Sequence, residues 1–166
     1  GVGNFEYASV KLHENNWGLY IKEFLNNNEN RLMGICLGFQ VLFESSEESI
    51  NAKGLGLISG KIEKLKSSES ERIPHVGWND VIPLKKNSYL NFLENPMDVY
   101  FVHSYGLLLN QNLNEDLFHE FTVTRHGKNK FLSSFRLSNL YGCQFHPEKS
   151  SKVGTKFLKL FLELNA

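Results

Sequence analysis

Residues 32–43 read LMGICLGFQVLF, an apolar segment with one glycine two positions before Cys36 and another two positions after it. The part up to Cys36 is typical of a short buried strand, and the part from Gln40 onward is typical of a helix that ends near Ser45. The segment therefore predicts a strand, a tight turn and a helix, with Cys36 at the turn. A cysteine in this position is either a nucleophile or one more small residue of a buried core.

Gly34, Cys36 and Gly38 have the spacing of a nucleophile elbow in which cysteine replaces the serine of G-x-S-x-G. An elbow holds its nucleophile in a strained backbone conformation, and we expect side chains at positions 34 and 38 to collide with the neighbouring strand and helix. The backbone N–H of Leu37 would donate to a developing oxyanion. The helix terminus favours the thiolate, and together with an imidazole it can lower the pKa of the thiol. The pentapeptide alone leaves both interpretations of Cys36 open.

A catalytic cysteine needs a base, and of the six histidines only His146 comes with an orienting carboxylate. Glu148 follows two residues later, across a proline that restricts the backbone. In an extended segment both side chains project to one side, so Glu148 can accept from one ring nitrogen while the other faces the thiol. Cys36, His146 and Glu148 are therefore a candidate triad. For this motif taken alone, a surface histidine beside a solvated glutamate is the alternative.

The composition, with 41% hydrophobic and 22% charged residues among 166, describes one ordinary globular domain. Eighteen basic and eighteen acidic side chains give a formal net charge of zero, which disfavours nucleic acid and anionic membranes as partners. No apolar run approaches the roughly 18 residues of a membrane span and no signal-peptide pattern is present, so we expect a cytoplasmic protein. Cys36 and Cys143 are accordingly expected to stay reduced, with Cys143 as a buried core residue.

The residue pattern outside the cysteine segment predicts helices towards both ends and strands between them. One helix is expected from Trp17 to the asparagines at 26–28, with its apolar stripe in the core, and another from Val153 to Leu164. Residues 126–129 are expected to form a hairpin turn. Helices flanking a set of strands predict a three-layer α/β sandwich. The predicted strands cover residues 60–65, 76–84, 99–103, 121–125, 130–135 and 140–145.

Four motifs make the chain resemble the class I glutamine amidotransferases, and among them the glutaminase subunits of imidazole glycerol phosphate synthase. The motifs are GICLGFQVLFESSEE at 34–48, PHVGWN at 74–79, YFVHSY at 100–105 and HPEKS at 146–150. The hexapeptide is the most discriminating, because other class I members are not expected to carry it. The resemblance runs through essentially the whole chain and implies a three-layer sandwich with a mixed, largely parallel central sheet.

The resemblance also implies a role for each matching residue. Cys36 attacks the side-chain amide carbon of glutamine, His146 moves the proton to departing ammonia, and Glu148 holds the imidazole. Water then hydrolyses the γ-glutamyl thioester to glutamate, and neither a cofactor nor a metal is implied. Oxyanion donors are expected at Val2 or Gly3 together with Leu37, substrate contacts at Gln40, Ser104 and Tyr105, and contacts to a partner subunit at His75, Trp78, Asn79, Tyr100 and Lys149.

The implied partner is a (β/α)8 barrel cyclase of histidine biosynthesis, which would form a heterodimer with this chain and receive its ammonia through a shielded route. Two other functions stay open. One is a paralogue that supplies ammonia for amidino groups on bacterial surface sugars, and the other is an inactive interaction fragment. The latter arises because the family begins with a βαβ portion that this sequence, which opens at Gly1, does not show. We expect residues 1–166 to be a single glutaminase domain, amino-terminally truncated relative to the family.

Overall fold

The structure, a computed structural model, describes residues 3–69, 71–84, 97–109 and 118–163. Its helices are α1 (Phe5–Glu14), α2 (Trp17–Leu25), α3 (Leu37–Gln40) and α4 (Ser151–Glu163), and a 3₁₀ turn at Pro147–Lys149 precedes α4. Its strands are β1 (Leu32–Ile35), β2 (Ser45–Ser46), β3 (Ser49–Lys53), β4 (Lys61–Lys64), β5 (His75–Pro83), β6 (Met97–His103), β7 (Tyr105–Gly106), β8 (Glu120–His126), β9 (Asn129–Leu137) and β10 (Leu140–Cys143).

The main sheet has six strands in the order β1-β10-β9-β8-β5-β6. Strand β1 runs parallel to β10, with Ile35 opposite Cys143, and the other four joins are antiparallel. The prediction of an α/β fold with a mixed sheet is confirmed, but the expectation of a largely parallel sheet is wrong for the described strands. Strands β8, β9 and β10 follow one another through two-residue turns at 127–128 and 138–139, and so short a turn returns the chain antiparallel.

Side chains pack on both faces of this sheet. Along β10, Leu140 joins one buried cluster, while Tyr141 and Cys143 join another. The first cluster contains Phe39 of α3 and the second contains Phe157 of α4, so helical segments cover opposite faces of the sheet. The three-layer sandwich predicted from the sequence is confirmed, and so is the burial of Cys143, which is 0% exposed.

A smaller four-stranded sheet, in the order β3-β2-β4-β7, follows the cysteine segment. Ile62 of β4 is fully buried in the same cluster as Phe39, so this sheet packs on the α3 side of the main one. Strand β4 was predicted, whereas the two-residue strands β2 and β7 are too short to leave a periodic signal. Helix α3 also ends at Gln40, earlier than predicted.

The amino-terminal helices differ from the prediction in their burial. Helix α2 has the predicted bounds, but none of its residues is buried, and Trp17 and Phe24 are 51% and 44% exposed. The prediction that its apolar stripe lies in the core is therefore wrong, because periodicity shows that a helix has an apolar face and not that another element covers it. Helix α1 was not predicted; the Asn4 side chain caps it by accepting from the N–H of Tyr7. Within the ranges described, no helix combines the length and apolarity that crossing a membrane requires.

Candidate active site

Cys36 occupies the turn between β1 and α3. Its backbone has φ 50° and ψ −106°, a positive φ that side-chain-bearing residues rarely adopt. Gly34 makes this turn possible, because a Cβ at that position would lie 2.6 Å from the carbonyl oxygen of Gly38. The strained elbow predicted from the glycine spacing is therefore present. The predicted collision at position 38 is wrong, since a Cβ on Gly38 would have nothing within 4 Å; the close approach involves only its backbone.

The parallel pairing of β1 with β10 brings the cysteine and the histidine motifs to one edge of the sheet. Ile35 lies opposite Cys143, and the N–H of Cys36 donates to the carbonyl of Cys143 at 2.8 Å. Both strands therefore end side by side, and the residues that follow β10, Gln144 and His146, leave the sheet next to Cys36. Two motifs more than a hundred residues apart in sequence meet here because of this register.

His146 and Glu148 form the expected pair. The Nδ1 of His146 lies 2.7 Å from Oε1 of Glu148, and because a carboxylate only accepts, Nδ1 carries the proton. The His146 residue is 2% exposed, and its Nε2 has no hydrogen-bond partner within the described ranges. When the ring is neutral, a proton on Nδ1 leaves a lone pair on Nε2, which is the state that a general base requires.

The carboxylate of Glu148 stays ionised at neutral pH. Partial burial would raise its pKa, but the hydrogen bond from His146 and the nearby charge of Lys149 help to outweigh that effect, and the pKa lies below its ordinary value. An ionised Glu148 keeps the proton of His146 on Nδ1 and leaves Nε2 as the basic atom.

The thiol of Cys36 is only 6% exposed. Burial raises its pKa by more than the backbone N–H of Leu37 and the amide of Gln144 lower it. The expectation of a lowered thiol pKa is therefore wrong for this chain alone. Two features explain why the pKa is not lowered. Helix α3 has only four residues and supplies a weak dipole. In the described structure, the hydrogen-bond partners of Sγ do not include the imidazole of His146.

A pocket of about 260 Å³ opens beside Cys36. It brings together residues predicted for catalysis, for the oxyanion site and for substrate binding, whereas Val2 lies outside the described residues. His146 and Glu148 reach the same sheet edge but do not line the pocket in the described structure. The predicted site residues in its wall are Gly3, Cys36, Leu37, Gln40, Ser104 and Tyr105.

Sequence reasoning missed two residues at this site. Glu48 lines the pocket, and its Oε2 accepts from the N–H of Phe5 at 3.0 Å. Gln144 is 0% exposed and its Nε2 lies 3.7 Å from Sγ of Cys36. No local pattern distinguishes either residue; the signal for Gln144 is the register, because it directly follows the residue that pairs with Ile35.

Two buried histidines form a hydrogen-bonded pair next to the pocket. The Nδ1 of His103 lies 2.8 Å from the carbonyl of Tyr105 and must donate to it, so its Nε2 accepts from Nδ1 of His75 at 3.1 Å. The Nε2 of His75 then accepts from the amide of Asn79 at 3.2 Å. Burial lowers the pKa of His75 to about 3 and that of His103 to about 4, so both rings are neutral at pH 7.

His75, one of the residues expected to face or contact a partner, is buried in the described structure. The residue is 3% exposed, because it points inward from β5 while its neighbours Val76 and Trp78 point outward with 54% and 53% exposure. His75 hydrogen-bonds the half-buried Asn79 and stacks on His126, which is also half-buried.

Three of the other four residues expected to face a partner lie together in what we call the aromatic patch: Trp78, Tyr100 and Lys149. The fourth, Asn79, is half-buried. The rings of Trp78 and Tyr100 meet edge to face with centroids 6.1 Å apart, and Nζ of Lys149 lies 5.7 Å from the centroid of the Tyr100 ring. Exposed aromatic side chains are enriched in protein interfaces, so this surface is suited to a protein partner. Among the residues described, no group of three or more His, Cys, Asp or Glu side chains is placed to hold a metal ion.

Comparison with known proteins identifies the class to which this fold and site belong. The sequence pattern of the family "Glutamine amidotransferase class-I" matches residues 14–164. A crystal structure of a glutamine amidotransferase aligns with a TM-score of 0.62 over 96% of this chain and 75% of that one; at 16% identity this shows a shared fold alone. The chain belongs to the class I glutamine amidotransferases.

Within that class the chain is similar to subunits of imidazole glycerol phosphate synthase. The HisH subunit of this synthase from Prochlorococcus marinus strain MIT 9312 is 39% identical over 162 residues, which cover 98% of this chain and 76% of that protein. The chloroplastic synthase hisHF of Arabidopsis thaliana is 38% identical over 98% of this chain and 26% of its own length. The resemblance found in the sequence motifs is confirmed.

Proposed function

We propose that this chain hydrolyses glutamine to glutamate and ammonia as the glutaminase subunit of an imidazole glycerol phosphate synthase. The observation that carries the proposal is Cys36 on its positive-φ turn, next to a pocket and at the sheet edge that it shares with the His146–Glu148 pair. The 39% identity to a HisH subunit supports the assignment to this synthase.

In the proposed reaction, Sγ of Cys36 attacks the carboxamide carbon of glutamine while the thiol proton passes to Nε2 of His146. The backbone N–H of Leu37, the first residue of α3, donates to the oxygen that becomes negative, and each such donor is typically worth about 10²-fold or more in rate. His146 returns the proton to the leaving nitrogen, and ammonia departs from a γ-glutamyl thioester. Water then attacks the thioester, gives a proton to His146, and releases glutamate and the thiol.

The pocket offers groups suited to the amino-acid end of glutamine. Both hydrogens of the Gln40 amide are used inside the protein, on the carbonyl of Tyr105 at 2.8 Å and on Oε1 of Gln144 at 3.0 Å, which leaves Oε1 of Gln40 to accept from a ligand. The carboxylate of Glu48 lies in the same wall and can bind an ammonium group. We propose Gln40 and Glu48 as substrate-binding residues, together with the Ser104–Tyr105 backbone.

The proposed partner is a barrel-type cyclase that docks on the aromatic patch and receives ammonia without its release to water, where it would be protonated. The Arabidopsis relative is named as a synthase in one polypeptide, and this chain matches only 26% of it, which supports a second catalytic part beside the glutaminase. We place this pair in the cytoplasm.

The test is an assay of glutamate and ammonia release by the purified chain mixed with its barrel cyclase and the ribulosyl nucleotide of the histidine pathway. Cys36→Ala is expected to abolish release. Cys143→Ala is the matched control, because Cys143 is also reduced and buried, and it lies on the adjoining strand; it should keep most of the activity. Equal activity of Cys36→Ala and wild type would refute the nucleophile. Ammonia release without conversion of the nucleotide would leave a glutaminase and refute the assignment to this synthase.

A further inference from the structure

Gln144 lies between the strand that pairs with β1 and the His146–Glu148 pair. It is fully buried, and its backbone N–H donates to the carbonyl of Ser133 at 2.9 Å, so its position is fixed by the sheet. Its side chain has two neighbours: Nε2 of Gln40 lies 3.0 Å from Oε1, and Sγ of Cys36 lies 3.7 Å from Nε2.

The orientation of the Gln144 amide follows from its hydrogen bonds. The carbonyl of Tyr105 only accepts, so the atom of Gln40 that lies 2.8 Å from it must be the amide nitrogen. That nitrogen has a second hydrogen, so the atom of Gln144 facing it must be the oxygen. The Nε2 of Gln144 is thereby directed at Sγ, and a flip of either amide would place two acceptors or two donors face to face.

We propose that Gln144 is a catalytic residue of the hydrolysis described above, a neutral donor that stabilises the thiolate of Cys36 when its proton moves to His146. The inference rests on the proposed function. A hydrogen bond to a charged group is stronger than one to a neutral group, so this contact strengthens as Sγ ionises. An amide has no proton to lose near neutral pH, and therefore Gln144 does not compete with His146 as the base.

Other described groups also change the pKa of the Cys36 thiol. The Leu37 N–H also lowers its pKa, whereas burial and the negative charge of Glu148 raise it. The other titratable groups near it are Cys143 on β10 and, in the pocket wall, His103 and Glu48. These groups stay unchanged when methionine replaces Gln144, so a change in the ionisation of Cys36 in that variant reports on the loss of the amide.

The test measures alkylation of Cys36 by iodoacetamide as a function of pH in the full chain. Peptide mass spectrometry separates Cys36 from the buried Cys143. Gln144→Met keeps the length of the side chain but has no donor, and Gln144→Glu replaces the donor with an acceptor. Ser133→Ala is the matched control: it removes a buried hydroxyl that hydrogen-bonds Thr122 on the neighbouring strand, without contact to the thiol. Circular dichroism and thermal melting check that each variant is folded.

Gln144→Met is expected to be alkylated about tenfold more slowly than wild type at pH 7, with its pH profile moved to higher pH, and Gln144→Glu more slowly still. Ser133→Ala should match wild type. Where the barrel partner is present, the methionine variant should lose kcat, and its KM for glutamine reports separately on Gln40, whose amide loses its hydrogen bond to Oε1 of Gln144. If either folded Gln144 variant has the wild-type alkylation profile, the proposal is wrong. Alkylation does not require turnover, so the two proposals are tested separately. Absence of ammonia release would refute the proposed function, and the alkylation profiles would still show whether Gln144 stabilises the thiolate.

Discussion

Acidification from pH 7 to pH 5 is expected to destabilise the fold through the His75–His103 pair. Both residues are buried, 3% and 6% exposed, and their hydrogen bonds require two neutral rings. In the unfolded chain each ring has its ordinary pKa of 6.5. In the folded chain burial, with repulsion from neighbouring imidazoles, lowers the pKa to about 3 for His75 and about 4 for His103.

The sign and size of the effect follow from proton linkage. Below pH 6.5 the unfolded chain takes up protons that the folded chain does not bind until about pH 4, so stability is complete above pH 6.5 and falls as the pH drops through this window. At pH 5 each ring lies about 1.5 units below its ordinary pKa, which corresponds to a loss of about 2 kcal/mol per ring and about 4 kcal/mol for the pair. Glu148 acts in a lower range, because a lowered pKa gives stability that is lost only below about its ordinary value of 4.5.

Urea unfolding at the two pH values, followed by tryptophan fluorescence and circular dichroism, measures this loss. A double variant, His75→Gln with His103→Gln, is expected to be less stable than wild type at pH 7, because hydrogen bonds are changed. Its free energy of unfolding should, however, differ little between pH 7 and pH 5. His119→Gln replaces an exposed histidine and should keep the wild-type difference. If the double variant loses as much stability on acidification as wild type does, the pair is not the acid-sensitive element. The single variant His103→Gln repeats the test if the double variant does not fold, and we expect it to keep about half of the wild-type difference between pH 7 and pH 5.

Three further predictions address the elbow, the triad and the surface. Gly34→Ala is expected to cost about 3 kcal/mol because its Cβ would meet the backbone oxygen of Gly38 at 2.6 Å, whereas Gly38→Ala, in open space, should change stability by less than about 1 kcal/mol; equal melting temperatures would contradict this. Glu148→Gln should lower kcat on the order of 10²-fold in a steady-state glutaminase assay, since a neutral amide no longer fixes the tautomer of His146, and an unchanged kcat would remove Glu148 from the mechanism. Lys149→Ala should weaken binding of the barrel cyclase about threefold in calorimetry, because it removes an exposed charged side chain from the aromatic patch beside Tyr100, and an unchanged Kd would place the interface elsewhere.

Local patterns were sufficient for the features that depend on neighbouring residues. The periodicity of α4, the hairpin between β8 and β9 and the elbow at Cys36 each lie within a few residues of sequence, and the structure contains all of them. The same patterns gave the wrong burial for α2 and the wrong direction for the pKa of Cys36. Both depend on what packs around the element, and that information is distributed over distant parts of the chain.

The site residues that sequence reasoning missed also depend on contacts between distant parts of the chain. Gln144 contacts Cys36 only because Ile35 and Cys143 are paired in parallel strands, and a shift of one residue in that register would turn its side chain to the other face. Glu48 reaches the pocket through the connection between β2 and β3, in a short polar segment with no periodic pattern. His75 was expected to face or contact a partner because its motif resembles that of the family, and the alternation along β5 turns its side chain inward.

The aromatic patch and the catalytic histidine are joined through the backbone. The N–H of His146 donates to the carbonyl of Tyr100 at 2.9 Å, while the N–H of Tyr100 donates to Oγ of Ser150, which donates to the carbonyl of His146 at 2.6 Å. A partner that displaces Tyr100 therefore displaces His146 with it. In the chain alone Nε2 of His146 has no hydrogen-bond partner within the described ranges, and burial raises the pKa of Cys36, which favours the neutral thiol. A partner that binds more tightly to the state in which Nε2 of His146 contacts Sγ of Cys36 would shift the population towards the thiolate–imidazolium ion pair. Activation would then appear as faster alkylation of Cys36 as well as faster turnover, because both processes consume the thiolate.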